Sequence, residues 1–286
     1  MLLKGETIEP YLMADGREIR REDSGPIFSG IGRPAVYEVI RIVGGRPLFW
    51  EEHLARMRRS AGMIGQEIIR TDAEIRSDMG RLAESNRPDG VHAKLVWSKP
   101  GGAERFLAYF IPAESPGPDA RRTGIHTIRH AGVRETPHLK TVNARFRDRI
   151  TEARQHAGAY EALLVDEAGY VTEGSRSNFF AVVGGSLATP PSDAVLPGVT
   201  RHQVLALCDE IGVEVVERPI HQDDLATLDG AFITGTTVDV MPIGSVDEIR
   251  LPSVDQPVIR EIVRRYEARV AAYLSSERKP WEKDRS

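Results

Sequence analysis

The sequence has almost no cysteine, since Cys208 is the single one among 286 residues. One thiol cannot form a disulfide within the chain, and no Cys/His spacing is typical of zinc, so we expect no metal. Cys208 falls on the apolar side of a predicted helix, where a small buried hydrophobe is the ordinary interpretation. This cysteine usage suits the reducing cytoplasm.

Long apolar runs and basic tracts are also missing. No stretch approaches membrane-spanning length, and the charges in MLLKGETIEPYL come too early for a secretory signal. The net charge is -4 and no basic tract occurs, so nothing favours nucleic-acid binding. We therefore predict a cytoplasmic protein that binds neither membrane nor nucleic acid.

Proline and glycine concentrate in one stretch that divides the chain. The 286 residues, 41% hydrophobic and 28% charged, suffice for two modest domains with their own cores. The stretch IPAESPGPDARRTG has three prolines, two glycines and few apolar residues. It predicts a linker at 116–124 between a small domain at 1–115 and a larger one at 125–286.

Several elements of the first domain are predicted by periodicity. VYEVIRIV alternates as a strand does, and HAKLVW and RFLAYFIP indicate a strand pair. Apolar residues recur at helical spacing across 51–64, and Arg56 lies off that stripe, where a solvated arginine is the default interpretation. Thr71 and Glu74 make a capping box that predicts a second helix at 72–84.

The stretch from Tyr160 to Val183 is the centre of the second domain. It predicts strands around a turn, with a loop that holds Glu173, Gly174 and Asn178 between buried runs. A carboxylate packed there needs a polar partner. A hairpin loop facing water is the alternative interpretation.

Lys140 precedes this stretch by twenty residues. Thr141 is a candidate cap of a helix reaching about His156, which would put Lys140 at the helix entrance. The macrodipole disfavours an ammonium there, which suits a lysine that must attack an aldehyde in its neutral form. An exposed surface lysine is the alternative.

Two further segments offer groups that suit an anion. In VLPGVTRHQ, a loop enters a helix, so the amides of Val199 and Thr200 are free to bind phosphate. In ITGTTV, Thr236 and Thr237 follow a strand with hydroxyls and amides in a turn. Water or a cap at the helix end, and an ordinary strand-end turn, are the alternatives.

These blocks, together with AVYEVIRIVGGRPLFWEEHLARMRRSAG and Lys140 in HLKTVNAR, resemble the class IV aminotransferases from about residue 35 to about residue 250. That family implies an α+β, two-domain fold of type IV, with a small α/β N-terminal domain and a larger pseudo-barrel C-terminal domain. It also implies the cofactor pyridoxal 5'-phosphate and a homodimer.

The resemblance assigns roles to individual residues. Lys140 would be the catalytic lysine that holds the cofactor covalently and moves the substrate proton, and Glu173 would pair with the pyridine nitrogen. The groups expected on the cofactor phosphate are Arg56, the amides of Val199 and Thr200, and Thr236. Those expected near the substrate are Tyr37 and the amides of Thr236 and Thr237.

The sequence also departs from the family pattern. Arg145 stands five residues after Lys140, where branched-chain enzymes usually have a tyrosine. The Arg-x-His carboxylate trap of D-amino acid aminotransferases is not visible in KLVWSKPGG. Lys94 and Arg33 are the candidate replacements, and surface charges are the alternative for both.

We therefore predict a pyridoxal-phosphate-dependent transaminase that exchanges an amino group between an amino acid and a 2-oxo acid. The block YEVIRIVGGRPLFWEEHL is more similar to the D-amino acid group than to the branched-chain group. The alternatives are a branched-chain L-amino acid aminotransferase, an enzyme like aminodeoxychorismate lyase, and a non-catalytic ligand-binding protein on the same fold.

Overall fold

The computed structural model describes residues 6–114, 116–117, 119–134, 136–141 and 144–276. These fall into two compact units. The first comprises the described residues within Met1–Glu114, Leu139–Ala144 and Ala271–Ser286, and the second those within Ser115–His138 and Arg145–Val270.

The first unit is built on an antiparallel sheet of six strands in the order β2-β1-β6-β5-β3-β4. Its strands are β1 (Tyr11–Ala14), β2 (Arg17–Arg20), β3 (Val36–Val43), β4 (Arg46–Pro47), β5 (Val91–Ser98) and β6 (Arg105–Pro112). Its helices are α1 (Gly25–Ser29), α2 (Trp50–Met63) and α3 (Asp72–Asn86), with 3-10 turns at Arg21–Asp23 and Pro100–Gly102.

Both faces of this sheet are buried. One face packs against α2 and α3 through a core that includes Ile40, Leu95 and Met57. The other carries Tyr37, Tyr109 and neighbours that pack on Phe28 of α1. Since side chains alternate along a strand, β5 is buried at all eight positions.

The predicted elements of this unit are confirmed with small shifts at their ends. VYEVIRIV is β3, and the predicted strand pair is β5 with β6, in register from Val91↔Pro112 to Ser98↔Arg105. The capping box of α3 is complete, because Thr71 Oγ1 accepts from the Glu74 amide and Glu74 accepts from the Thr71 amide. Such caps stabilise a helix by about 1 kcal/mol.

The second unit contains a mixed sheet of ten strands in the order β12-β11-β10-β14-β15-β7-β8-β9-β13, with β16 paired to β15. The strands are β7 (Ile125–Ala131), β8 (Glu161–Val165), β9 (Tyr170–Gly174), β10 (Asn178–Val183), β11 (Ser186–Thr189), β12 (Val215–Glu217), β13 (Ile220–His221), β14 (Gly230–Gly235), β15 (Asp239–Val246) and β16 (Ile249–Arg250). The helices are α4 (Ala120–Thr123), α5 (Ala144–His156), α6 (Val199–Ile211) and α7 (Pro257–Ser276), with a 3-10 turn at Gln222–Thr227.

The units do not follow the predicted boundaries. Within the predicted linker, Ala120–Thr123 forms the short helix α4. Leu139, predicted in the larger domain, packs on the core of the first unit, and the ring of Tyr273 near the end of α7 packs at a tilt against Phe49 with 4.9 Å between ring centroids. Chain segments from the predicted second domain therefore complete the first unit.

Helices that span a membrane are long and strongly apolar. None of the described helices combines the length and the hydropathy needed to cross a bilayer.

Candidate active site

Lys140 lies beside β3. Its carbonyl accepts the Tyr37 amide at 3.0 Å, and Thr141 forms an isolated antiparallel bridge with Val36. The described part of α5 begins at Ala144, and residues 142 and 143 lie outside the described residues, so the predicted cap at Thr141 stays a prediction. Lys140 Nζ lies 5.2 Å from the centroid of the buried Tyr37 ring.

A buried cluster of charged side chains follows Tyr37 in the sequence. Glu38 accepts from Arg56 Nε and Nη2, both at 2.7 Å, and His53 Nδ1 lies 2.9 Å from Glu38 Oε2. Burial opposes ionisation of Glu38, but the charges of Arg56 and Lys140 and the hydrogen bonds from Arg56 and His53 outweigh it and lower its pKa. Burial lowers the pKa of His53.

Arg56 is therefore a fixed, buried guanidinium. It is 3% exposed, so its default interpretation as a solvated arginine is wrong. The reason is that Glu38 faces α2 from β3 and neutralises the guanidinium in a two-point pair. Its assignment to the cofactor phosphate stays a prediction.

The two predicted carboxylate-binding cations have different surroundings. Lys94 is buried in β5, forms an ion pair with Glu6, and its Nζ lies 5.3 Å from the Tyr37 ring centroid. Arg33 is exposed in the loop before β3, and no hydrogen bond or ion pair joins its side chain to another part of the chain that the structure describes. The structure thus places Lys94 beside Tyr37, and the role of Arg33 stays a prediction. The side chain of Arg145 lies outside what the structure describes.

Glu173 is buried in the second unit with a partner that the sequence did not reveal. Arg134, just after β7, donates from Nε to Glu173 Oε1 at 2.7 Å and from Nη2 to the Ser175 carbonyl at 2.7 Å. The Leu196 amide donates to Glu173 Oε2 at 3.2 Å. The expected polar partner of this carboxylate therefore exists, and the interpretation as a water-facing loop is wrong.

A second buried carboxylate supports the loop after Glu173. Glu161 accepts from Ser175 Oγ at 2.5 Å and from Ser177 Oγ at 2.9 Å. A Cβ on Gly174 would lie 2.0 Å from Ser177 Oγ, so the close packing of this loop requires glycine. The loop that follows Glu173 is thereby held rigidly.

The N-terminus of α6 has the features of an anion site. Its cap residue is Gly198, which has no side chain to satisfy the first amides of the helix, and Val199 and Thr200 are buried there. A Cβ on Gly198 would lie 2.0 Å from Asn178 Oδ1, so the approach of these segments also requires glycine.

A buried hydroxyl lies on the strand next to Asn178. Thr234 is in register with Asn178 across β10 and β14, and its Oγ1 has no hydrogen-bond partner in the described part of the chain. Thr236 and Thr237 follow in the turn between β14 and β15 and are half-buried. Unpaired amides beside an unpaired buried hydroxyl fit a phosphate group.

A known family matches most of the chain. The model of the amino-transferase class IV family matches residues 35–246. The chain belongs to the class IV aminotransferases. This membership confirms the predicted family, the predicted enzyme class and the predicted cofactor, pyridoxal phosphate.

Similar proteins include both branches considered from the sequence. The D-alanine aminotransferase of Bacillus licheniformis is 33% identical over 74% of this chain and 78% of its own length. A putative branched-chain-amino-acid aminotransferase of Methanocaldococcus jannaschii is 31% identical over 74% of this chain and 78% of its own length.

A solved structure shows the same fold. The branched-chain amino acid aminotransferase of Escherichia coli superposes with a TM-score of 0.77 at 23% identity, covering 91% of this chain and 94% of its own. The predicted α+β fold of type IV is thereby confirmed.

Proposed function

We propose that this class IV aminotransferase transfers the amino group of a D-amino acid to a 2-oxo acid. The observation that carries the proposal is the position of Lys140 Nζ, 5.2 Å from the centroid of the buried Tyr37 ring and within the field of the Glu38 carboxylate. The 33% identity to a D-alanine aminotransferase supports the D-amino acid as donor.

In this proposal Lys140 would hold the cofactor through Nζ, and the same nitrogen would take the proton from the donor's Cα. Pyridoxal phosphate supplies the electron sink that accepts the electron pair left on that carbon. Glu38 stays ionised at neutral pH, so its charge stabilises Lys140 Nζ when that nitrogen carries the proton.

Glu173 binds the proton on the ring nitrogen of the cofactor. Arg134, the Leu196 amide and Asn178 Nδ2 donate to this carboxylate and hold it in place, which supports the assignment. Arg134 fixes the position of the carboxylate and lies against its charge as an opposite charge.

The cofactor phosphate is bound by Arg56, by the amides of Val199 and Thr200, and by Thr236. The support for this assignment is the uncapped start of α6 and the buried Thr234 hydroxyl beside it. The substrate carboxylate is bound by the amides of Thr236 and Thr237, by Lys94 and by Arg33, with Tyr37 against the substrate.

A branched-chain L-amino acid aminotransferase is the second candidate. The 31% identity to a putative enzyme of that name favours it. The stereochemistry of the donor separates the two candidates, because both would accept a 2-oxo acid.

We also propose that the chain works as a homodimer in the cytoplasm. The family resemblance supports the dimer, and the single cysteine suits a reducing compartment. Sedimentation equilibrium of the purified protein would give the mass of the assembly.

The test is visible absorbance of the purified protein, mixed separately with D- and L-amino acids and then with a 2-oxo acid. We expect a cofactor band that D-amino acids bleach and a 2-oxo acid restores. Lys140→Ala should abolish the response, whereas Lys99→Ala, a matched lysine after β5, should keep it.

Other outcomes of this experiment have definite meanings. Bleaching by L-leucine alone would favour the branched-chain candidate, and turnover without any 2-oxo acid would favour a lyase. A protein that stays colourless after addition of pyridoxal phosphate would overturn the proposal in favour of a non-catalytic binding protein.

A further inference from the structure

Lys94 is an ammonium in the middle of a fully buried strand. It is 2% exposed, and its described ion-pair partner is Glu6, from the segment before β1. The Tyr109 hydroxyl also donates to Glu6 Oε2, at 3.3 Å. The Glu6 carboxylate therefore lies where an ammonium and a phenol converge.

The surroundings of Lys94 belong to the same face of the sheet as Tyr37. In register, Lys94 pairs with Tyr109 on β6 and with Val39 on β3, so their side chains project to one side. Lys94 Nζ lies 5.3 Å from the Tyr37 ring centroid and 6.0 Å from that of Tyr109. The ammonium is held by two aromatic rings and one carboxylate.

This pair lies close to the candidate catalytic lysine. Lys94 Nζ and Lys140 Nζ are 5.3 Å and 5.2 Å from the same ring centroid, that of Tyr37. The two nitrogens are therefore less than about 10.5 Å apart, whatever their directions from the ring. Lys94 Nζ therefore lies within about 10.5 Å of the nitrogen that the proposed function places at the reacting carbon.

We propose that Lys94 and the Tyr109 hydroxyl form a carboxylate-binding subsite that Glu6 fills until a ligand carboxylate replaces it. The inference deepens the proposed function and rests on it for the identity of the ligand, a substrate acid. Glu6 then lowers the affinity for every ligand carboxylate, because each of them competes with it.

The exchange is physically reasonable because one carboxylate replaces another. A buried ammonium is costly without a counter-charge, and Glu6 supplies one until a ligand carboxylate takes its place. Replacement of Glu6 by a ligand keeps Lys94 neutralised and keeps the Tyr109 hydroxyl bonded. The Glu6 side chain is 24% exposed while that of Lys94 is 2% exposed, so solvent reaches the pair from the side of Glu6.

The test measures carboxylate binding and not turnover. The dissociation constants of propionate, succinate and the neutral analogue propionamide are measured by calorimetry on the full-length holoenzyme. The variants are Glu6→Gln, the matched control Glu9→Gln from the same segment, Lys94→Met, and the double variant of positions 6 and 94.

We expect Glu6→Gln to bind propionate or succinate about tenfold more tightly. If Glu6 occupies the subsite about nine-tenths of the time, only about one-tenth of the wild-type molecules can bind a ligand there, and the substitution removes this competition. Propionamide binding and Glu9→Gln should show no change. In the Lys94→Met background the gain from Glu6→Gln should vanish, because the cation for which both carboxylates compete is gone.

The pattern of ligands identifies the source of the carboxylate. An equal gain for propionate and succinate would assign the subsite to the carboxylate next to the reacting carbon, and a gain for succinate alone to a side-chain carboxylate. Both outcomes support the subsite. Unchanged or weaker binding of both acids to a folded Glu6→Gln would overturn it and leave Glu6 as a structural partner.

The experiment separates this inference from the proposed function. If the cofactor band responds to amino acids but Glu6→Gln leaves the affinities unchanged, only the subsite is wrong. If no cofactor band forms, the proposed function is wrong, and the carboxylate affinities still report whether Glu6 competes.

Discussion

Each buried charge of the candidate site that the structure describes is held by a partner of opposite charge. Arg56 forms an ion pair with Glu38, Lys94 forms one with Glu6, and Glu173 forms one with Arg134. Removal of one partner leaves the other buried and unpaired, which costs more than the pair itself stabilises. Substitutions in these pairs are therefore expected to affect folding as well as chemistry.

Glu38→Gln should lower the free energy of unfolding by about 3 to 5 kcal/mol, because the neutral amide leaves the buried Arg56 guanidinium without its anion. Urea denaturation of the full chain would measure the change. The control is Glu22→Gln, whose ion pair with Arg20 is exposed, and it should change stability by less than about 0.5 kcal/mol. If Glu38→Gln lowered the free energy of unfolding as little as the control does, this result would contradict the buried ion pair.

The same carboxylate predicts an acid-sensitive fold. Because the pKa of Glu38 is lowered from its ordinary 4.5, its stabilisation is complete above about pH 4.5 and is lost as the pH falls further. His53, whose pKa is also lowered, destabilises the fold in acid as well, since the unfolded chain takes up its proton first. The stability difference between wild type and Glu38→Gln, followed from pH 7 to pH 3, should shrink only below about pH 4.5.

At the scale of elements, sequence patterns predicted the helices and strands that depend on interactions between residues close together in the chain. The alternation in VYEVIRIV, the apolar stripe of α2 and the Thr71 cap each depend on residues within a few positions, and all three are present. The predicted cap at Thr141 stays a prediction, whereas the bridge from that residue to Val36 is a contact that no local pattern encodes.

The contacts that complete the site are long-range, and sequence reasoning therefore missed them. Arg134 and Glu173 are 39 residues apart, and Glu6 and Lys94 are 88 apart. Nothing in the neighbourhood of Arg134 distinguishes it from a surface arginine. The only available signal was the requirement that a carboxylate between buried strands have a partner, which does not say where that partner lies.

The start of α6 gives a prediction at this scale. Gly198→Ala puts a methyl group against Asn178 and should displace the first helical turn, so the affinity for pyridoxal phosphate should fall at least about tenfold. The affinity for pyridoxal, which lacks the phosphate, should change little. Gly62→Ala in α2, where an added Cβ meets nothing within 4 Å, should keep both affinities and stabilise the helix by up to about 1 kcal/mol. An equal loss of affinity for pyridoxal phosphate and for pyridoxal would contradict a phosphate site at this helix.

At the scale of the whole molecule, the first unit is not one continuous length of chain. Lys140 and Thr141 pair with β3, and near the end of α7 the Leu274 carbonyl accepts from Arg46 while the Tyr273 hydroxyl accepts the Trp50 amide at 3.2 Å. A break in the chain between Glu114 and Ala120 therefore separates the first unit from segments that belong to it.

This organisation predicts the behaviour of a nicked protein. A protease site is inserted after Gly117 and the protein is cleaved there. The two fragments should elute together on native gel filtration and separate only in denaturant. The reason is that residues 139–141 and 271–276 of the second fragment remain bound within the first unit. Tyr273→Ala removes the ring that packs against Phe49 and the acceptor of the Trp50 amide, so its fragments should separate at a lower urea concentration. Tyr170→Ala changes an exposed tyrosine of β9 and is the matched control. After nicking, its fragments should separate at the same urea concentration as the fragments of the protein without this substitution. Fragments that part on native gel filtration would show that these segments contribute little to the first unit, since noncovalent contacts are all that hold them after cleavage.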